Sequence, residues 1–269
     1  MRIALDLVDL DATPEDSAIY VPGEGIRRVL FGLDIGTGEL VMARQLGYDA
    51  VIAHHPVGLS HRSWTVFRRH VDLLRAAGVP QTVADQAVES KMEALRVRGQ
   101  SANYEQVPMA ARRLNMPFLN IHTPLDELGR RVMQGAVDAA LRADPDATLG
   151  QIADTLARLP PARRAETEVM VLLGDPSAPA GRVVVAHGAL TNGGYDVAHA
   201  YFDHGVDTVV YIHIAPNDLK RLRDDERGQL VVTGHAVGDA FGIEPYIDAL
   251  RGQELEIYGL SQIYAGGAP

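Results

Sequence analysis

The chain has 269 residues, enough for one large domain or two modest lobes, and its 46% hydrophobic and 22% charged content excludes wholesale disorder, collagen and coiled coil. With 25 Lys+Arg against 35 Asp+Glu the formal net charge is -10, the wrong sign for a protein that lives on a phosphate backbone. Cysteine is absent, which excludes disulfides, zinc ribbons, Cys nucleophiles and iron–sulfur clusters, so any metal must be held by the 10 His and by carboxylates.

No apolar run approaches the roughly 20 residues of a membrane-crossing helix. The opening Met1-Arg2-Ile3-Ala4-Leu5-Asp6 places an acid too early for a signal peptide. A cytoplasmic protein with no membrane partner is expected.

In chain order, Val29–Leu33 reads as a buried strand and Thr37–Leu46 as a helix stopped by Gly47. Ala50–Ala53 is the next strand, parallel to the first. Trp64–Ala77 reads as a helix, Val79–Val83 as a weaker strand, Tyr104–Leu114 as a helix and Pro117–Ile121 as a strand. Leu125–Ala143 and Leu149–Leu159 read as helices, and Pro160–Arg164 as a linker. Beyond it Val169–Leu173, Val183–Ala186, Thr208–Ile212 and Leu230–Val232 read as strands. Tyr195–His204 and Val237–Leu250 read as helices, with a loose tail from Gly259 and no short-period repeat. The expected fold class is α/β with two lobes. The first covers 1–130; a helical connection and second lobe cover 131–269, with the C-terminal segment able to return to the first.

Three strand ends carry histidine. Ala53 is followed by His54-His55-Pro56. Ligand sites in open α/β sheets gather at the carboxyl ends of parallel strands. Neighbouring side chains on extended backbone point to opposite sides, so two adjacent His suit two close ions better than one. The competing reading is a pair of turn histidines. The second end is His122-Thr123-Pro124-Leu125-Asp126, where Asp126 could instead be an ordinary N-cap for a helix from Glu127. The third is Gly234-His235 with Asp239 one helical turn on; helix-start polar residues are the alternative. Together they suit zinc, manganese, iron or cobalt. Two ions about 3.5–4 Å apart could lower the pKa of a bridging water and clamp a developing oxyanion.

At these residues the chain resembles the Nif-three-like dinuclear metal family, many members of which carry the label GTP cyclohydrolase I type 2. The shared marks are His54-His55-Pro56, His122-Thr123-Pro124-Leu125-Asp126, and Gly234-His235 with Asp239 at a glutamate position. The resemblance implies two α/β lobes with two divalent ions in the cleft between them. It further implies one ion on His54 and Asp126, the other on His55 and His235, Asp239 as the bridge, and His122 close by as ligand or proton shuttle. A ring-shaped homohexamer is implied as well.

Two departures stand out. Asp239 is one methylene shorter than the family's glutamate, so the backbone must come nearer or Glu244 must substitute. His213 stands where many members end that strand with Thr-Gly-Glu or Thr-Gly-Asp; it is an added ligand or acid–base group, or else a core or rim histidine.

Among the remaining His, His187 at a strand end could touch a substrate, and His61 and His70 read as helix-surface positions. His199 and His204 read as ordinary helix and helix-end residues. Gly36-Thr37-Gly38 lacks the rest of a nucleotide loop, and Thr191-Asn192-Gly193-Gly194 is either an anion cradle or a glycine turn.

The expected function is a metal-dependent hydrolase acting on a nucleotide, phosphoester or cyclic amidine, with His122 and His213 managing protons. The rival is a non-catalytic metal-binding or adaptor protein that forms a ring. A small-molecule substrate is expected and a nucleic-acid partner is not.

Overall fold

The structure is a computed structural model and describes residues 1–58, 61–261 and 263. The chain begins with α1 (Arg2–Asp6), β1 (Ala18–Val21), β2 (Arg28–Gly32), α2 (Thr37–Gln45) and β3 (Ala50–Ala53). A 3-10 turn (Ser63–Arg68) leads into α3 (Arg69–Ala76), α4 (Gln81–Gly99) and α5 (Gln106–Leu114). Then come β4 (Phe118–Asn120), α6 (Thr123–Ala143), α7 (Leu149–Ala157) and α8 (Pro160–Arg164). The rest is β5 (Met170–Leu173), β6 (Val183–Val185), α9 (Gly194–Asp203), β7 (Thr208–Tyr211), α10 (Pro216–Asp224), β8 (Gln229–Val232), α11 (His235–Arg251) and β9 (Glu256–Gly259).

Most expected elements lie where the apolar patterning puts them. Val79–Val83 is a correction. It forms no strand; Pro80 precedes the long helix α4, whose Ala84 N–H bonds Pro80 O at 2.9 Å. Ala84, Ala87 and Val88 are buried at helical spacing, and that periodicity outweighs a short apolar run. The expected linker at Pro160–Arg164 folds as a single short helix with proline in its first turn. The tail expected to be loose from Gly259 has Gly259 as the last residue of β9, and residues 262 and 264–269 lie outside the described ones.

The chain divides into two compact units. The first takes Met1–Val66, Ala94–Leu128 and Gly242–Pro269; the second takes Phe67–Glu93 and Gly129–Phe241. The break near residue 130 falls after Leu128, while Phe67–Glu93 lies outside the first unit and the C-terminal segment belongs to it. Sheet pairing explains that last placement, because β9 runs parallel to β2, with Val29 opposite Ile257.

In the first unit the sheet order is β1-β4-β3-β2-β9, with β1 antiparallel to β4 and the other pairs parallel. Strands β2 and β3 are apolar along their length and buried, as parallel strands covered on both faces must be. Leu30, Val51, Ala53 and Phe118 pack with Leu40 and Ala43 of α2 and Ala111 of α5. In the second unit the order is β5-β8-β7-β6, with β5 antiparallel to β8. Val183, Val185, Val210 and Val231 pack with Met133 and Val137 of α6 and Ile152 and Leu156 of α7. Each such buried side chain contributes about 1.5–3 kcal/mol of transfer free energy.

The two sheets therefore repeat one topology. An antiparallel first strand lies beside the fourth, followed by the third and the second, in β1-β4-β3-β2 and again in β5-β8-β7-β6. Local details repeat too. Asp49 accepts the N–H groups of Arg27 and Arg28 at the start of β2, and Asp207 accepts the N–H of Arg182 just ahead of β6. Each Asp follows a glycine at positive φ, Gly47 at 73° and Gly205 at 80°. Aligned on these residues, Gly47-Tyr48-Asp49-Ala50-Val51-Ile52-Ala53-His54-His55 matches Gly205-Val206-Asp207-Thr208-Val209-Val210-Tyr211-Ile212-His213. His213 is thus the positional counterpart of His55. Among the described residues no helix is long and apolar enough to cross a membrane.

Candidate metal centre

In the first unit β2, β3 and β4 are parallel, so their carboxyl ends share one edge of the sheet. Asp34 follows β2, His54 and His55 follow β3, and His122 follows β4. The backbone of the histidine pair is fixed by continuing the β2–β3 ladder, His54 N–H to Gly32 O and His55 N–H to Leu33 O, both at 2.9 Å. One ligand atom from each of His54, His55 and His122 lies within 4.8 Å of the other two.

The Nδ1 atoms explain this convergence. His54 Nδ1 lies 3.0 Å from the Ile121 carbonyl, His55 Nδ1 lies 2.8 Å from Asp34 Oδ1, and His122 Nδ1 lies 2.8 Å from Asp16 Oδ2. Carbonyl and carboxylate oxygens only accept, so each Nδ1 carries the proton and donates it. Each neutral ring is then left with its Nε2 lone pair, the arrangement that orients metal-binding histidines. Asp16 and Asp34 both lie outside the three motifs, Asp16 beside Glu15 and Asp34 alone between Leu33 and Ile35.

Asp126 sits in the first turn of α6, not at its N-cap, because the helix begins at Thr123. Its N–H bonds His122 O at 3.1 Å, and its buried carboxylate faces both rings: Oδ1 is 3.2 Å from His54 Nε2 and Oδ2 is 3.6 Å from His122 Nε2. A neutral His54 with Nδ1–H turns a lone pair toward a carboxylate oxygen there. Two buried acceptor atoms so close call for a cation, either a proton or a metal ion. Burial works to push the His122 imidazolium down, yet the Asp126 charge and the Asp16 hydrogen bond outweigh it and hold His122 above its ordinary pKa. Imidazole and carboxylate are the donor types that a zinc-like or manganese-like ion takes, and the residues gathered here fit one in kind.

In the second unit β6, β7 and β8 are parallel, and His187, His213 and His235 follow their carboxyl ends. His235 opens α11, and its Nε2 lies 3.5 Å from Oδ2 of the buried Asp239, one turn on. Gly234, at φ +94°, lets the chain turn from β8 into that helix. Glu244 lies five positions beyond Asp239 on α11, about 140° round the helix, so it does not share the face of His235 and Asp239. The ring of His213 stands 4.9 Å from that of His235. Burial, reinforced by the neighbouring His235, lowers His213 to about 4.

Other histidines sort differently. His70, expected on a helix surface, is fully buried; its Nε2 lies 2.9 Å from Thr191 O. His61 stacks on Tyr104 at 4.0 Å between centroids. His187 is buried at the end of β6, and His199 pairs with Asp203 on α9. His204 bonds Ala200 O at the end of α9. At Gly36 the N–H is taken by Glu39 Oε2 at 2.7 Å, so a carboxylate occupies the place a phosphate would need. At Gly194 the N–H is taken by Asn192 Oδ1 at 2.9 Å, which favours the turn reading of that segment over an anion cradle.

No protein-family model matches the chain, and no curated protein does. Solved structures do. The chain is 46% identical to a NIF3 superfamily protein from Sphaerobacter thermophilus, with a TM-score of 0.94 over 97% of this chain and 96% of that one. Reduced HcgD from Methanocaldococcus jannaschii shares the fold at 13% identity and TM-score 0.58, covering 97% of this chain and 95% of that one. A Bacillus cereus protein related to NIF3 matches at 13% identity and TM-score 0.50, over 97% and 95%. Two α/β sheets of one topology, histidines at the carboxyl ends of their parallel strands and near-complete coverage at 46% identity agree, and the chain belongs to the NIF3 superfamily.

Proposed function

We propose that the chain is a metal-dependent hydrolase that uses two divalent ions on a nucleotide, a phosphoester or a cyclic amidine. The observation that carries this reading is the convergence of His54, His55 and His122, each with Nδ1 committed to an acceptor and a carboxylate beside them. The proposed ligands are His54, His55 and Asp126 on the first unit and His235 and Asp239 on the second. When bound, such ions lower the pKa of a water and polarise a carbonyl or phosphoryl oxygen.

The chain's own residues supply the remaining chemistry. Asp34 and Ile121 O hold the His55 and His54 rings in place. His122, backed by Asp16, is placed to take up a proton at Nε2 and return it. His213 supplies the second proton-handling group. The small-molecule substrate, the cytoplasmic location and the homohexamer belong to this same reading, with no nucleic-acid partner.

Elemental analysis of purified protein beside turnover assays on GTP and a phosphodiester panel tests the proposal. Bound metal with turnover that is lost in His54→Ala supports it. Metal bound without turnover of any substrate favours a binding protein instead. An absence of both, with His54→Ala unchanged, ends the metal reading.

A further inference from the structure

The repeated topology places His55 and His213 at matching positions, yet their partners differ in kind. His55 Nδ1 faces a carboxylate, Asp34 Oδ1 at 2.8 Å. His213 Nδ1 faces the side-chain nitrogen of Asn192 at 2.9 Å. The orientation of that amide is fixed from its other end, because Asn192 Oδ1 accepts the backbone N–H of Gly194 at 2.9 Å. Nδ2 must therefore donate, and His213 Nδ1 must accept. A neutral imidazole carries one proton, so His213 holds it on Nε2. His55 and His213 are opposite tautomers.

The segment that sets this is itself rigidly held. Asn192 is buried, on a loop that includes positive φ at Gly188 (83°), Leu190 (72°) and Gly194 (65°). Arg69 Nε donates to Gly188 O at 2.8 Å, His70 Nε2 donates to Thr191 O at 2.9 Å, and Tyr211 OH donates to Gly194 O at 3.0 Å. Three side chains thus pin the backbone on both sides of Asn192, and the amide has little freedom to turn over.

An imidazole with Nε2–H offers no lone pair there for a metal. We propose that Asn192 is a positioning residue that fixes His213 as an Nε2–H donor, and that this donor binds an oxyanion of the substrate, such as a phosphoryl oxygen, beside His235. His213 is therefore no ligand, unlike its counterpart His55, and with Nδ1 committed to Asn192 it serves the hydrolase reading as a fixed hydrogen-bond donor in place of a proton-handling group. The oxyanion half rests on the hydrolase reading; the tautomer half does not.

Two measurements on the full chain, each with and without added zinc, test it. Long-range proton–nitrogen NMR of labelled protein reads which ring nitrogen of His213 is protonated. Wild type should show Nε2–H, and Asn192→Asp, whose carboxylate can only accept from His213, should switch the ring to Nδ1–H. Calorimetric titration with inorganic phosphate reads the donor. His213→Leu should weaken phosphate about tenfold, while His213→Gln, whose amide can donate from nearly the same place, should restore most of it. Wild-type His213 protonated at Nδ1, an unswitched Asn192→Asp, no phosphate binding to the zinc-loaded wild type, or equal phosphate affinity in His213→Leu would each overturn the proposal. Failure of zinc to bind at all would sink the hydrolase reading while leaving the metal-free tautomer result standing.

Discussion

His122 Nδ1 and Asp16 Oδ2 lie 2.8 Å apart, and both residues are buried. The same oxygen also accepts from Thr123 Oγ1 at 2.6 Å, while the His122 backbone N–H bonds Ser17 Oγ at 2.9 Å. The segment before β1 thus holds the His122 ring and its backbone together. Asp16→Asn keeps an acceptor for these donors and removes the charge. Zinc affinity, read by competition with a chromophoric chelator, should fall about tenfold with the fold intact. An unchanged affinity would show that Asp16 only packs.

Gly238 lies between His235 and Asp239 on the first turn of α11. A Cβ there would sit 2.1 Å from Ile212 Cγ2 and 2.5 Å from Ile212 Cβ, and Ile212 is buried immediately after β7. Neither partner can yield without moving the helix or the strand. Gly238→Ala should cost about 1–3 kcal/mol in urea unfolding and shift both donors, weakening metal binding as well. A variant as stable as wild type with full zinc affinity would disprove the link between this close approach and the site.

Much of this arrangement was legible in the sequence. Ala50–Ala53 is a continuous apolar run, so the strand and the histidines at its end could be placed together. The supporting residues could not. Asp16 and Asp34 come from segments far from the motifs in sequence, and nothing local marks either acid as a partner of a ring nitrogen. Strand β1 is short and only partly buried, so it shows no alternation to read, and β9 is a four-residue strand that ends where the expected tail begins. The repeat is not legible in the sequence because its halves share a pattern of residue types around Asp49 and Asp207, 158 positions apart, and little identity. The role of Asn192 comes from Gly194 N–H and His213 Nδ1 at its two ends, and no local pattern in the sequence marks either partner.

His70 makes stability depend on pH. Burial lowers it to about 4, against 6.5 for the ordinary value, so the folded state keeps it neutral. A histidine with a depressed folded pKa is stabilising above its unfolded pKa. As pH falls from 6.5 toward 4 the unfolded chain takes up a proton that the folded chain refuses, and stability is lost over that window. The contribution is about 3 kcal/mol in order of magnitude. His70→Gln can keep a donor to Thr191 O without titrating, so its stability should fall less steeply between those pH values, by about one proton's slope. Chemical unfolding at pH 7, 5.5 and 4.5 reads this, and parallel slopes in the two proteins would refute it.

Asp126 gives the most direct reading of whether a cation belongs to the first unit. Its carboxylate faces His54 Nε2 at 3.2 Å and His122 Nε2 at 3.6 Å, so removing the charge while keeping the shape should abolish the reason for an ion to stay. A ligand bound only by the folded state stabilises in proportion to the logarithm of its excess over Kd, about 2.7 kcal/mol at a hundredfold excess. Adding a chelator to zinc-loaded wild type should therefore lower Tm by several degrees, and adding zinc back should restore it. In Asp126→Asn neither addition should move Tm by more than a fraction of that. Metal-free Asp126→Asn should in addition weaken the proton-holding power of His122, whose raised pKa owes part of its elevation to the Asp126 charge. A chelator that shifts wild type and Asp126→Asn equally would mean that the stabilising ion sits elsewhere.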